Sequence, residues 1–190
     1  MMNGPCPFED RVRRAAERLA ESGVAALGGL FDLTSQRLVR FATTITRNQH
    51  DAEDAVQASL MRCAARPRLL RDAKRPWPYL LQVVRNEALA AARKQRRWSL
   101  AAGLIDLCTR REVDELEQEE THRAVWQALR RLPVAQSEVV VLKIWEGLTF
   151  AEIGEVLEIS PCTAASRYRY GMEKLERLLG VSPAEARHES

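Results

Sequence analysis

Apolar positions recur every three or four residues along most of the chain, a spacing that predicts amphipathic helices rather than strands. The first clear run predicts a helix whose inward positions are Leu27, Phe31, Thr34, Leu38, Phe41 and Ile45. A second helix is expected after the turn at residues 48–51, with Asp51 as its N-cap residue. A third is expected to start at the prolines flanking Trp77 and to run to about Arg97, with Trp77 itself in the core.

The second half of the chain carries sharper helix signals. Residues Thr149 and Glu152 match a capping box, in which each side chain satisfies the other residue's backbone N–H. This predicts a short helix from Phe150 to Leu157. Ser160 and Pro161 then suit the cap and first turn of a final helix through Leu179. Two short helices joined by a tight turn predict a helix-turn-helix.

Composition supports an all-α fold. Only nine Gly and eight Pro occur in 190 residues, too few for a chain rich in β-turns. No apolar run approaches the roughly 20 residues that span a bilayer, so neither membrane insertion nor export from the cytoplasm is expected. The four cysteines are far apart and the three histidines lack ligand spacing, so we expect no metal and no cofactor.

Charge is strongly segregated, although the net charge is only +3. Residues 62–97 hold 11 basic side chains against two acidic ones, a net of +9. A second basic zone follows at residues 161–179, and an acidic, aperiodic stretch at residues 98–121 predicts a linker between two domains. A block of +9 attracts nucleic acid because neutralising phosphates releases counterions, although an Arg-rich solvated helix face remains an alternative on charge alone.

Four stretches together resemble the extracytoplasmic-function (ECF) sigma factors of bacterial RNA polymerase, over roughly residues 25–180. They are the acidic start of the second helix at 51–57, the segment 79–86 with its basic tail 93–97, the segment 149–154, and the segment 163–170. Their order, the acidic linker and the chain length make the match specific.

The resemblance implies two small helical domains joined by a flexible linker. Residues 25–97 correspond to sigma region 2, residues 98–121 to the linker, and residues 122–180 to the helix-turn-helix of region 4. Residues 1–24 are left as an N-terminal leader and residues 181–190 as a tail. In such proteins, region 2 docks on the β′ coiled coil of core polymerase and captures the −10 promoter element. Region 4 reads duplex DNA at the −35 element beneath the β flap.

The resemblance also implies three sets of binding residues. Docking on core polymerase is expected at Asp51, Glu53, Asp54 and Gln57, although acids at a helix start are otherwise ordinary partners of the helix dipole. Contact with −10 DNA is expected at Tyr79, Gln82, Arg85, Asn86, Arg93, Lys94 and Arg97, since aromatics beside basic residues suit unpaired bases. Contact with −35 DNA is expected at Thr163, Ala165, Ser166, Arg167 and Arg169.

Three residues depart from the family pattern. Tyr79 stands where the family usually has Trp, at the junction of duplex and single-stranded DNA. Ala165 replaces a frequent Lys or Arg, and Glu158 replaces the usual Gly of the turn, which implies a strained residue at a positive φ. An altered −35 preference is therefore expected, rather than a loss of binding.

Three functions are compatible with these features. The first is a sigma factor, which has no catalytic residue and no small-molecule substrate and acts through core polymerase, promoter DNA and an expected anti-sigma factor. The second is a stand-alone helix-turn-helix regulator, which would be expected to dimerise on a palindrome. The third is a DNA-cutting enzyme using the acids at 51–54, which would need a divalent ion and a catalytic constellation that the sequence does not offer.

Overall fold

The structure, a computed structural model, describes residues 7–101 and 120–180, and all regular structure in these ranges is helical. The expectation of an all-α fold is confirmed. Contacts divide the chain into two units, one on each side of the undescribed residues 102–119. None of the described helices has the length and apolar character required to cross a bilayer.

The first unit is built from five helices and one 3₁₀ turn. In chain order they are α1 (Pro7–Ser22), the 3₁₀ turn Gly23–Ala26, α2 (Leu27–Thr46), α3 (Gln49–Ala65), α4 (Pro67–Arg71) and α5 (Pro76–Ala101). Helices α2, α3 and α5 pack on one another and form the core of the unit, while α1 packs against α2, α4 and α5. The sequence did not predict short α4, which lies in the basic stretch between α3 and α5.

Helix α1 gives the predicted leader, residues 1–24, a structural role. Val12, Ala16 and Leu19 are fully buried along one face of this helix. Its Glu9 carboxylate forms a 2.6 Å ion pair with Arg75, just before α5. Sequence patterns missed this packing because the two partners lie 66 residues apart.

Two details of α2 and α3 differ from the sequence prediction. Leu30 is fully buried, whereas Phe31, the predicted core residue, is 44% exposed. Both positions fit a helical spacing to Thr34 and Leu38, and only packing against the neighbouring helices selects Leu30. Helix α3 begins three residues earlier than expected: Asn48, and not Asp51, is its N-cap residue, and its side chain accepts a hydrogen bond from the backbone N–H of Asp51.

The N-terminal turn of helix α5 is buried and anchors the helix in the first unit. Trp77 is 1% exposed and packs edge-on against Phe8 of α1, with ring centroids 4.9 Å apart. The Arg37 guanidinium lies 3.9 Å from the centroid of the Phe8 ring. The prediction that Trp77 is a core residue is confirmed. The helix continues past Arg97 to Ala101, because no helix-breaking residue occurs before Gly103.

The second unit contains α6 (Glu120–Arg131), α7 (Val134–Ile144), α8 (Phe150–Leu157) and α9 (Pro161–Leu179). Helix α9 packs on the other three. The capping box is present as predicted, with the Thr149 backbone N–H donating to the Glu152 carboxylate at 2.6 Å and the Glu152 N–H donating to the Thr149 hydroxyl at 3.3 Å. The bounds of α8 and α9 are also confirmed.

The turn between α8 and α9 depends on close backbone approach. A Cβ at Gly154 would lie 2.7 Å from the backbone oxygen of Ile159, so any side chain there forces the turn away from α8. Glu158 ends α8 at φ 56°, the left-handed conformation predicted for it. Ser160 caps α9 by accepting from the Thr163 backbone N–H at 3.1 Å.

We expect Gly154→Ala to destabilise the second unit by about 1–3 kcal/mol, the range typical of overpacking. The paired variant Glu158→Gly should instead stabilise it by about 0.5–1 kcal/mol, because glycine adopts a positive φ without steric cost. Hydrogen–deuterium exchange on peptides from α7 to α9 measures both effects. Unchanged exchange in Gly154→Ala would show that the turn tolerates displacement.

Candidate nucleic-acid and protein-binding surfaces

The start of α3 presents a small acidic surface. Asp54 is the most accessible of its carboxylates, with a side chain 63% exposed and an oxygen 3.8 Å from His50 Nε2. Gln57 is exposed one turn later. Glu53 is half-buried and accepts a 2.9 Å hydrogen bond from Gln49 Nε2.

Asp51 is half-buried in the first turn of α3, where a carboxylate suits the positive end of the helix dipole. The four predicted docking residues therefore do not form one uniform face. Asp54 and Gln57 are available to a partner, whereas Glu53 and Asp51 also serve the helix start.

Ion pairs remove several arginines from the basic block of the first unit. Arg62 forms a 2.6 Å pair with Glu87, which links α3 to α5. Arg71 pairs at 2.6 Å with Asp72, and the hydrogen bond from this guanidinium lowers the pKa of the Asp72 carboxyl. Glu87 and Asp72 are already counted in the net of +9, so these two pairs show which arginines are neutralised, and only the pair of Arg75 with Glu9 lowers the charge of the block further, by one.

Of the eight other basic residues of the block, four lie within five consecutive positions at the end of α5. Arg93, Lys94, Arg96 and Arg97 are all exposed, and none forms an ion pair with the residues that the structure describes. An uncompensated basic cluster of this kind is the electrostatic footprint of a nucleic-acid-binding surface.

The other predicted residues of α5 lead up to this basic end. Tyr79 and Gln82 are half-buried and Asn86 is exposed, at the spacing of three and four residues that places them on one helical face. Arg85 is half-buried and lies to the side of that face. Tyr79 follows the buried Trp77 by two residues. Packing of Trp77 in the core therefore fixes the position of the backbone at Tyr79.

The predicted face of α9 is only partly open. Ser166 and Arg169 are exposed, whereas Ala165 and Arg167 are half-buried. Thr163 is exposed, but its hydroxyl lies 2.8 Å from the Ser160 hydroxyl and thus takes part in the helix cap.

A cation–π pair on α9 was not predicted. The Arg169 guanidinium carbon lies 5.0 Å from the Tyr170 ring centroid, and Nη2 donates to the Tyr170 hydroxyl at 3.3 Å. The adjacent arginine and tyrosine in the sequence were the only signal for this contact. Stacking limits the rotamers of Arg169 and orients its guanidinium before any ligand binds.

The position of α9 depends on a second glycine. A Cβ at Gly171 would lie 2.9 Å from Val140 Cγ2, so its absence lets α9 approach α7 closely. On α8, the Phe150 ring contacts Tyr168 with centroids 5.7 Å apart and lies 5.0 Å from Lys143 Nζ. These contacts support the face that carries Ser166 and Arg169.

Cysteine and metal chemistry give no further site on the described residues. In residues 7–101 and 120–180, no three His, Cys, Asp or Glu side chains gather in a way that could hold a metal ion. Burial raises the pKa of the Cys63 thiol to about 11, so it stays protonated at neutral pH. Cys162 is an exposed free thiol in the first turn of α9.

Comparison with known families matches both units. A family model described as Sigma-70 region 2 matches residues 30–98, and one described as Sigma-70, region 4 matches residues 122–175. Helix α1 lies outside the first match.

Two characterised relatives cover nearly the whole chain. The RNA polymerase sigma factor CarQ of Myxococcus xanthus is 32% identical, over 86% of this chain and 95% of the relative. The ECF RNA polymerase sigma factor SigM of Mycobacterium tuberculosis is 30% identical, over 93% of this chain and 92% of the relative.

Solved structures share the fold. The sigma factor RpoE of Bartonella quintana, solved in complex with the anti-sigma factor NepR, aligns with a TM-score of 0.71 and 22% identity, over 80% of this chain and 95% of that chain. CnrH, solved in complex with the cytosolic domain of CnrY, aligns with a TM-score of 0.63 and 19% identity, over 91% of this chain and 99% of that chain.

Proposed function

Because this chain belongs to the sigma-70 family of RNA polymerase sigma factors, in its extracytoplasmic-function group, we propose a specific division of labour among its surfaces. The chain is a sigma factor that works with core RNA polymerase and directs promoter-specific initiation of transcription. Sigma factors are DNA-binding initiation factors rather than catalysts. A stand-alone regulator is not favoured, since sigma regions 2 and 4 both occur on one chain.

Docking on the β′ coiled coil of core polymerase is assigned to the start of α3, residues 51–57. The exposed Asp54 and Gln57 support this assignment, since a negative and polar surface complements a basic partner. Glu53 and Asp51 contribute charge to the same surface while stabilising the helix that carries it. Domain assignments follow the sequence: residues 25–97 act at core polymerase and the −10 element, and residues 122–180 act at the −35 element beneath the β flap.

The −10 element is assigned to the face of α5 that starts at Tyr79 and ends in the basic cluster. The observation that carries this proposal is the sorting of charge in the first unit. Ion pairs occupy Arg62, Arg71 and Arg75, while the end of α5 keeps its cations free of described acids. Tyr79 supplies a ring for an unpaired base, and the cations follow the phosphate backbone.

The −35 element is assigned to α9. Ser166 and Arg169 are exposed in the N-terminal half of this helix, and the helix packs against α7 and α8. An arginine can take either a guanine edge or a phosphate in the major groove. Ala165 offers no charge at its position, which supports a −35 preference different from that of relatives with a basic residue there.

An anti-sigma factor is the proposed regulatory partner. Exposed apolar side chains occur on both units, including Met61 and Leu69 on the first and Ile144 and Leu178 on the second. Such side chains suit a protein partner better than DNA. The solved complex of RpoE with NepR gives a precedent in a protein of the same fold.

We expect Tyr79→Ala to reduce promoter opening about tenfold, since stacking a base on an aromatic ring contributes on the order of 1–3 kcal/mol. Tyr79→Trp should preserve opening. Permanganate reactivity of unpaired thymines measures the effect in holoenzyme at saturating core polymerase. Phe31→Ala removes an exposed ring from α2 and serves as the matched control. Equal opening by the Tyr79→Ala and wild-type proteins would remove Tyr79 from the −10 surface.

A further inference from the structure

The last turns of α5 carry an exposed aromatic ring among the basic cluster. Trp98 is 69% exposed, more than any other large apolar side chain among the described residues. A ring so accessible adds little to the stability of the fold. Four exposed cations, Arg93, Lys94, Arg96 and Arg97, lie among the five residues that precede it.

Helical geometry places the ring beside one of these cations. Lys94 lies one turn before Trp98, on the same side of α5, whereas Arg97 directly precedes it and projects about 100° around the helix. Nineteen residues separate Trp98 from Tyr79, which corresponds to about 28 Å along a helix and to about eight base pairs of duplex. Trp98 therefore cannot serve the same base as Tyr79.

The chemistry of this end of α5 favours duplex over single-stranded DNA. Single-strand binding uses several rings on which successive bases stack. Here one ring stands among four cations, a composition suited to the phosphates of a duplex, with one apolar group placed against sugars or a base step in the minor groove. The absence of a nearby described acid strengthens the attraction of this end of α5 for DNA.

We propose that Trp98, together with Lys94 and Arg97, forms a second DNA contact on the duplex that flanks the −10 element. The cations bind phosphates, and the Trp98 ring packs against the minor-groove surface between them. This inference rests on the proposed function of α5 and extends it to a residue outside the predicted −10 set.

The Trp98 ring and the neighbouring cations should affect the salt dependence of promoter binding differently, because only the cations contact phosphates. Trp98→Ala should weaken binding of holoenzyme to promoter DNA about tenfold, because burial of the ring against the duplex is lost, without changing the slope of log affinity against log salt. Trp98→Phe should retain most of the affinity. Lys94→Ala should lower the salt slope by about one, because one phosphate contact is lost.

Two templates separate a DNA contact from a protein contact. One carries the −10 element with its flanking duplex, and the other ends at the −10 element. The Trp98→Ala defect should appear on the first and vanish on the second. A defect of equal size on both templates would mean that a protein surface covers the ring, and wild-type affinity on both would mean that the ring binds nothing; either result overturns the proposal.

The same experiment distinguishes this proposal from the function on which it rests. If wild-type holoenzyme binds and opens the promoter while Trp98→Ala matches it, only the Trp98 contact is wrong. If the wild-type chain confers no promoter binding on core polymerase, the proposed function fails and the Trp98 contact fails with it.

Discussion

Replacing Asp54 by arginine should abolish co-purification of the chain with core RNA polymerase. The Asp54 side chain is 63% exposed and lies 3.8 Å from His50, whose side chain is 83% exposed, so the substitution should not disturb the fold. Truncating one member of a charge pair buried at an interface costs about 2–5 kcal/mol. Reversing the charge adds repulsion, so a loss in affinity of at least about 100-fold is expected.

Asp32 offers a matched control for this experiment. It is an exposed carboxylate on α2, outside the proposed docking surface. Asp32→Arg should co-purify with core polymerase as wild type does, while circular dichroism should show both variants folded. Retention of Asp54→Arg on core polymerase would remove α3 from the docking surface.

Replacing Arg167 and Arg169 together by alanine should give the second large effect, a loss of −35 recognition. Each arginine that contacts a base edge is worth about 1–3 kcal/mol, so the double variant should lose about 2–6 kcal/mol if both read bases. Arg169 is exposed but stacked on Tyr170, which orients it without consuming its remaining donors. Holoenzyme binding to promoter duplexes with native and scrambled −35 elements measures the loss.

The comparison between the two duplexes decides what these arginines read. A larger loss on the native −35 element means base recognition, whereas equal losses with a flatter salt slope mean phosphate contact alone. Arg177→Ala is the control, because Arg177 lies in the last turn of α9 and its Nε donates to the Glu173 carbonyl. If the double variant binds the native element as tightly as the control does, α9 is not the reading helix.

Local signals in the second unit made the helix-turn-helix predictable from sequence. The capping box at Thr149 and Glu152 and the Ser160 cap depend on residues within four positions of one another, whereas the positive φ of Glu158 was implied by the resemblance to the family. Capping residues this close together form a recognisable sequence pattern. The bounds of α8 and α9 are therefore predictable from sequence without tertiary contacts.

Features of the first unit that depend on distant residues could not be predicted in the same way. The pair of Glu9 with Arg75 and the edge-on contact of Phe8 with Trp77 join segments far apart in the chain. No local pattern distinguishes Leu30 from Phe31 as the core residue of α2. Charge counting likewise found the basic block, but only the ion pairs indicate which of its cations remain available to DNA.

In the candidate sites, too, the sequence predicts the helices, whereas only the structure shows which of their side chains are exposed. Family motifs predict that α3, α5 and α9 are binding helices, whereas burial separates Asp54 from Glu53 and Arg169 from Arg167. Trp98 belonged to no motif. The sequence predicted that α5 ends near Arg97, whereas the helix continues to Ala101 and places the exposed Trp98 ring next to the basic cluster.

The most direct measurement of the central claim is transcription from genomic DNA by core polymerase, with and without the purified chain. Sequencing the 5′ ends of the transcripts should reveal a set of start sites that requires the chain and shares one −10 and one −35 element. Tyr79→Ala should reduce initiation at these sites, and Asp54→Arg should eliminate it. Identical start sites with and without the chain would contradict the account.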